Sequence, residues 1–234
     1  MTVHFPLRAA GLAAGLICGM QVASAVAQGP SVLNVLFESP HLASIEKGRE
    51  LVYKFDRKVS DTKTAGEEFQ DDIKLGIIEV DEKTGKRKVT IKIFTGDRAR
   101  KQQRITGMTG NPVLVVFLDR AVSNFARLAG GNRPYLKDRF RIGLRDSAKI
   151  EATKLDYKGS KVDGFRVTVS PYAQDPNRLK MRGYEGAKFV FNVSDQVPGH
   201  FLSLKADYTS TVPESATLSE TIVLHSEGKA EEIK

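Results

Sequence analysis

The chain has 234 residues, no tryptophan, one cysteine and a formal net charge of +8 at pH 7. With 41 % hydrophobic and 27 % charged residues, it is apolar enough for a packed core, which excludes a disordered polyelectrolyte and a small disulfide-stapled scaffold. Residues 98–145 hold 11 Lys/Arg against only Asp119 and Asp138, so one segment carries the whole positive excess.

Taken in chain order, the start predicts export. Arg8 and the amino terminus form a short positive region, Ala9 to Met20 is apolar and uncharged, and Ala25-Val26-Ala27 offers small residues to a signal peptidase. This three-part pattern predicts a cleavable signal over residues 1–27 and a periplasmic location. The apolar stretch falls short of the roughly 20 residues a membrane span requires. Cys18 follows Ile17 where lipidation would want a small residue, so it is expected to leave with the signal. Residues 28–234 then contain no cysteine, no repeat and no transmembrane run, and are expected to form a single β-rich domain not integral to the membrane.

Ser39-Pro40 predicts a short helix over His41–Gly48. Alternation at Leu51, Tyr53 and Phe55, at Ile73, Leu75 and Ile77, and at Val89, Ile91 and Ile93 predicts three strands, the last two joined through the polar loop 81–86. Asp71-Asp72 is expected to flank a turn. The period then changes. Asn111 can cap a helix and Pro112 can start it, and Gly130-Gly131 can stop it. Leu114, Leu118, Ala121, Phe125 and Leu128 fall within about 80° of arc at a helical 100° per residue. The run Val113–Leu118 alone would also suit a buried strand; the stripe beyond it favours helix.

Pro134 predicts a second helix, with Leu136, Phe140, Gly143 and Leu144 on one side and Lys137, Arg141 and Arg145 as a basic stripe beside them. Strands return over 150–157 and 165–169 around a polar loop 158–164, then at Phe189, Phe191 and Val193, over 201–208 and over 218–225. Val197-Pro198-Gly199-His200 suits a type II turn, and the acidic end 227–234 is expected to fray. Hairpins with helices grouped on one side predict an α+β fold: an antiparallel sheet with two mid-chain helices on one face.

Catalytic signatures are absent. His41, His200 and His225 lie far apart, and no HExxH, GxSxG, Walker or GxGxxG pattern exists. Ser44-Ile45-Glu46-Lys47 and Ser60-Asp61-Thr62-Lys63 match S-x-x-K but lack the companion motifs of a penicillin-binding site. No metal, cofactor or nucleic-acid partner is expected, nor is an enzyme.

In its element order, a helix candidate, strands, a helix pair and more strands, residues 28–234 resemble the periplasmic lipoprotein-carrier (LolA-like) family. Segments 110–118 and 194–199 are also similar to those of uncharacterised exported bacterial proteins. The family resemblance implies a curved antiparallel sheet, an open half-barrel with helices in its mouth. It further implies a carrier for a lipid or lipidated segment, with Leu114, Phe117, Leu118, Phe125 and Leu128 as the apolar site and their helix as a movable plug. Arg133, Lys137, Arg139, Arg141 and Arg145 would meet an anionic group at the rim. Two other readings stand beside it: an envelope structural or assembly factor bound to an anionic surface through the basic helices, and a hydrolase whose triad is assembled only in space.

Overall fold

Strands β1 (Arg49–Val59), β2 (Phe69–Val80), β3 (Arg87–Ile93) and β4 (Gln103–Met108) run as one antiparallel meander, with a one-turn helix α1 (Thr62–Ala65) between the first two. Helices α2 (Val113–Ala129) and α3 (Arg133–Asp146) follow. A second meander then returns through β5 (Lys149–Tyr157), β6 (Ser160–Val169), β7 (Lys188–Val193), β8 (Phe201–Tyr208) and β9 (Leu218–Lys229). The computed structural model describes Met1 and residues 29–230, so apart from Met1 the expected signal lies outside the described residues.

The two meanders are joined at their centre. β9 pairs with β1, giving the nine-stranded order β4-β3-β2-β1-β9-β8-β7-β6-β5. β4 and β5 are therefore the two free edges of an open, curved sheet, and the fold is α+β. Register shifts at Val52/Tyr53, Ile77/Glu79 and Asn192/Val193 are irregularities of the kind that raise local twist and bend a sheet. This topology places the helices: the chain must pass from the β4 edge to the β5 edge, and α2 and α3 make that crossing over one face.

Both long helices form where period and punctuation predict them. Asn111 Oδ1 accepts from the Val113 N–H at 3.1 Å, and Gly130 ends α2 with φ at 79°. Asn132 caps α3 by accepting from the Tyr135 N–H at 3.3 Å. Gly143 lets α3 approach the following loop, since a Cβ there would stand 2.6 Å from Pro171 Cβ.

Four expectations are corrected, and one strand was not foreseen. No helix occupies 41–48; a five-residue π-helical turn forms earlier, at Asn34–Glu38. Ser39 closes that turn, its N–H and hydroxyl both donating to Asn34 O, at 2.9 and 3.0 Å. Asp71 and Asp72 lie within β2, where Asp71 Oδ1 accepts from the Thr95 N–H at 2.9 Å and tethers the turn after β3. The expected loop 158–164 is only Lys158-Gly159, with φ of 50° and 80°, the two positive angles of a tight hairpin. The expected fraying from residue 227 is not seen among the described residues, because β9 continues to Lys229 and Arg49 holds Glu227 at 3.0 Å. Finally, β4 had no strand signal: it is an edge strand with no buried residue, so no alternation marks it.

Candidate binding site

The inward positions of the strands make an apolar floor, including Tyr53, Phe55, Ile73, Leu75, Phe191 and Leu204. The stripe of α2 lies on that floor. Leu114, Phe117, Phe125 and Leu128 are all buried. Phe117 meets Phe191 edge-on at 5.4 Å, and Phe125 stacks on Tyr172 at 3.8 Å. Tyr208, fully buried on β8, donates its hydroxyl to Ala121 O at 3.0 Å, fastening the middle of α2 to the sheet. Four of the five residues expected to form the apolar site thus hold the helix down.

Leu118 is placed differently. It lines an apolar cavity of about 320 Å³ between α2, α3 and the Asn34–Glu38 turn. Val122, Phe140 and Leu144 line the same cavity, and Phe37 and Val115 stand at it with 44 % and 63 % exposure. No strand residue contributes to it. Lys137, Arg141 and Asp119 supply its polar lining. The groove therefore runs between the helices, rather than between helices and sheet.

Each of the five expected anion-binding cations has a carboxylate partner. Asp119 is shared by Arg133 at 3.2 Å and Lys137 at 3.0 Å. Arg141 takes Asp138 at 2.7 Å and Arg145 takes Asp146 at 2.6 Å. Arg139 reaches the fully buried Asp175 at 2.8 Å, and the Tyr135 hydroxyl donates to the same carboxylate at 2.7 Å. Arg139 therefore ties α3 to the loop after β6. The four exposed pairs are of the weak kind, worth about 0–1 kcal/mol, and an incoming anion can replace them.

Beneath α2 lies a buried polar cluster that the sequence analysis missed. Arg57 on β1 and Glu220 on β9 are direct cross-strand neighbours, 5 % and 2 % exposed, and form an ion pair. Arg120 of α2 joins from above, its Nε 3.0 Å from Glu220 Oε2. Arg57 also donates to Asn124 Oδ1 at 3.0 Å, to Glu67 O at 3.2 Å and to Ala65 O. The signal was present: Arg57 continues the inward series Leu51, Tyr53, Phe55, and Glu220 interrupts the inward series Leu218, Ile222, Leu224. A charge in a core phase marks a buried pair.

A second missed cluster joins the amino-terminal turn to the start of α2. His41 Nε2 donates to Val35 O at 2.8 Å, and its Nδ1 accepts from the Asn111 N–H at 3.4 Å. Asn111 donates through Nδ2 to the Tyr53 hydroxyl at 2.7 Å and to Gly199 O at 2.9 Å. His200, beyond the turn in which its N–H donates to Val197 O, meets the His41 ring edge-on at 5.2 Å. His225 is exposed on β9. Among the described residues the histidines form no Ser–His–carboxylate arrangement, and no group of three or more His, Cys, Asp or Glu could hold a metal.

Burial lowers the pKa of His41, partly offset by its bond to Val35; burial, then the neighbouring His41, lowers that of His200 against the pull of Asp195. The unfolded chain, with ordinary histidines near 6.5, binds the proton first, so stability is complete above about pH 6.5 and falls as pH drops through the lowered values. Thermal unfolding is expected to move to lower temperature between about pH 7.5 and 5.5, and His200→Asn, which keeps a residue tolerant of the 61° φ, is expected to flatten that fall. An unchanged pH slope in the variant would contradict this.

Among the described residues no helix is long and apolar enough to cross a membrane. No protein-family model and no curated protein matches the sequence. Among solved structures, the crystal structure of the Mycobacterium tuberculosis lipoprotein LppX is similar with a TM-score of 0.33 and 11 % identity, the alignment covering 83 % of this chain and 94 % of that one.

Proposed function

We propose that this chain is an exported, periplasmic binding or carrier protein for an amphipathic anionic ligand, a lipid or a lipidated segment, and not an enzyme. The observation that carries the reading is the groove between α2 and α3: about 320 Å³, walled by Leu118, Val122, Phe140 and Leu144, open at Val115 and Phe37, and rimmed by Lys137 and Arg141. Its volume lies at the lower end of the roughly 300–1,000 Å³ usual for ligand sites, which suits one acyl chain better than a bulky ring system. The apolar wall takes the chain, and the two cations at the rim exchange their exposed carboxylates for the ligand's anion.

The test is a chain-length series of fatty acids titrated against protein stripped of lipid. Each methylene seated in the groove contributes about 0.8 kcal/mol, so affinity is expected to rise about fourfold per carbon until the groove is full, then level off. Leu118→Asp places a charge in the wall and is expected to weaken the longest seated chain by tenfold or more, with the fold retained because Leu118 is only partly buried. Affinity independent of chain length would end this reading.

A further inference from the structure

On the other flank of α2 lies a cavity of a different character. It measures about 420 Å³ and is lined by Arg57, Arg98, Arg100, Arg120 and Arg127, with Glu67 and Asp119 as its acidic residues. We propose that this pocket is a binding site for a small multivalent anion of the phosphate class. It is a second site, built from residues other than the basic stripe of α3, and it does not require the groove to be occupied.

The guanidiniums outnumber what the fold needs. Arg57 and Arg120 satisfy Glu220 at the floor. Arg98 has only Glu67, at 3.5 Å, and Asp119 is already shared by Arg133 and Lys137 on its far side. Arg100 and Arg127 have no carboxylate partner among the described residues. Several like charges facing one cavity repel one another, and a bound anion removes that repulsion.

The cavity is also arranged in advance. Arg120 Cζ stands 4.6 Å from the Phe55 ring centre and 5.1 Å from that of Phe94, and Arg98 Cζ stands 4.9 Å from that of Phe69. These cation–π contacts restrain the two guanidiniums and lower the rotamer freedom to be lost on binding. Gly66 leaves the space between two more: a Cβ there would lie 3.0 Å from Arg127 Nη1 and 3.7 Å from Arg57 Nη2. Planar donors that can bind in pairs, lining one cavity, suit a phosphate oxygen pair better than a single carboxylate or chloride.

The phosphate could belong to a free phosphate ester or to a lipid headgroup, for Asp119 lines both this pocket and the apolar groove, at the ridge of α2 between them. Calorimetric titration of the whole exported chain with inorganic pyrophosphate is expected to give saturable, salt-sensitive binding. Arg100→Gln with Arg127→Gln, both exposed, is expected to weaken it tenfold or more with an unfolding temperature unchanged within about 2 °C. Absence of saturable binding at millimolar pyrophosphate, or equal affinity in the double variant, would overturn the site. Dodecyl phosphate distinguishes the sources. If it binds at least tenfold tighter than inorganic phosphate and Leu118→Asp removes only that advantage, the site holds a lipid headgroup. If the two bind equally, it holds a free phosphate group. Pyrophosphate binding that survives Leu118→Asp upholds the pocket even where the groove proposal fails.

Discussion

Replacing Glu220 with alanine is expected to lower the stability of the fold by about 3–5 kcal/mol, the usual loss when one partner of a buried ion pair is removed. The size of the effect comes from what remains rather than from the bond lost. Glu220 is 2 % exposed and sits between Arg57 and Arg120, so its removal leaves two largely buried cations without their counter-charge. Arg57 retains Asn124 Oδ1 and two backbone carbonyls, which are neutral and cannot compensate its charge. Urea unfolding measures the change as a shift of the midpoint at constant slope.

Two companion variants locate the cause. Glu220→Gln keeps an acceptor and the shape, and is expected to lose less than alanine. Arg120→Met leaves Arg57 paired with Glu220 and keeps an apolar body over Phe55 and Phe94, so a loss of about 1–2 kcal/mol is expected. If Glu220→Ala cost under about 1 kcal/mol, the cluster would be a wetted surface feature rather than a buried one.

The same cluster shows why the two halves of the sheet meet where they do. β1 and β9 lie far apart in sequence, and both alternate apolar residues without favouring any one partner. Arg57 opposite Glu220 rewards a single register, since a one-residue slip of either strand would turn its charge to the other face and leave both without a partner. The strands other than β4 and both long helices were legible because each writes its period into a local window, with Asn, Pro and Gly at the ends. The β1–β9 seam was not, because no local window contains both strands.

Charge was legible as an amount and not as an arrangement. The basic excess of residues 98–145 is real, but several of its partners come from other parts of the chain. Asp175, which holds Arg139, stands in the loop after β6; Glu220, which holds Arg120, stands on the last strand. Arg57, central to the pocket beside α2, stands outside the basic segment altogether. A count along the chain therefore shows the basic excess but not its pairing: folding gives each cation of α3 a carboxylate and leaves Arg100 and Arg127, on the opposite flank of α2, without one among the described residues.

Phe125→Ala is expected to cost about 3–5 kcal/mol, as for other fully buried phenylalanines, and to do so in protein carrying no ligand. Periodicity alone assigns Phe125 and Leu118 to one stripe of α2. The fold separates them, because the sheet and α3 meet the helix from different directions. Phe125 is completely buried against Tyr172, and its loss leaves a cavity that neither the stacked ring nor the strands beneath can close. Leu118 borders a cavity that is already open, so Leu118→Ala removes fewer contacts and is expected to cost about 1 kcal/mol. Ligand binding should invert the order: a bound chain stabilises the native state in proportion to its affinity, and Leu118→Ala should reduce that increment where Phe125→Ala leaves it nearly intact. Measuring the unfolding midpoint of both variants with and without a saturating fatty acid separates a wall of the groove from a pillar of the core. A larger loss of ligand-induced stabilisation in Phe125→Ala would instead place the guest beneath α2, on the sheet itself.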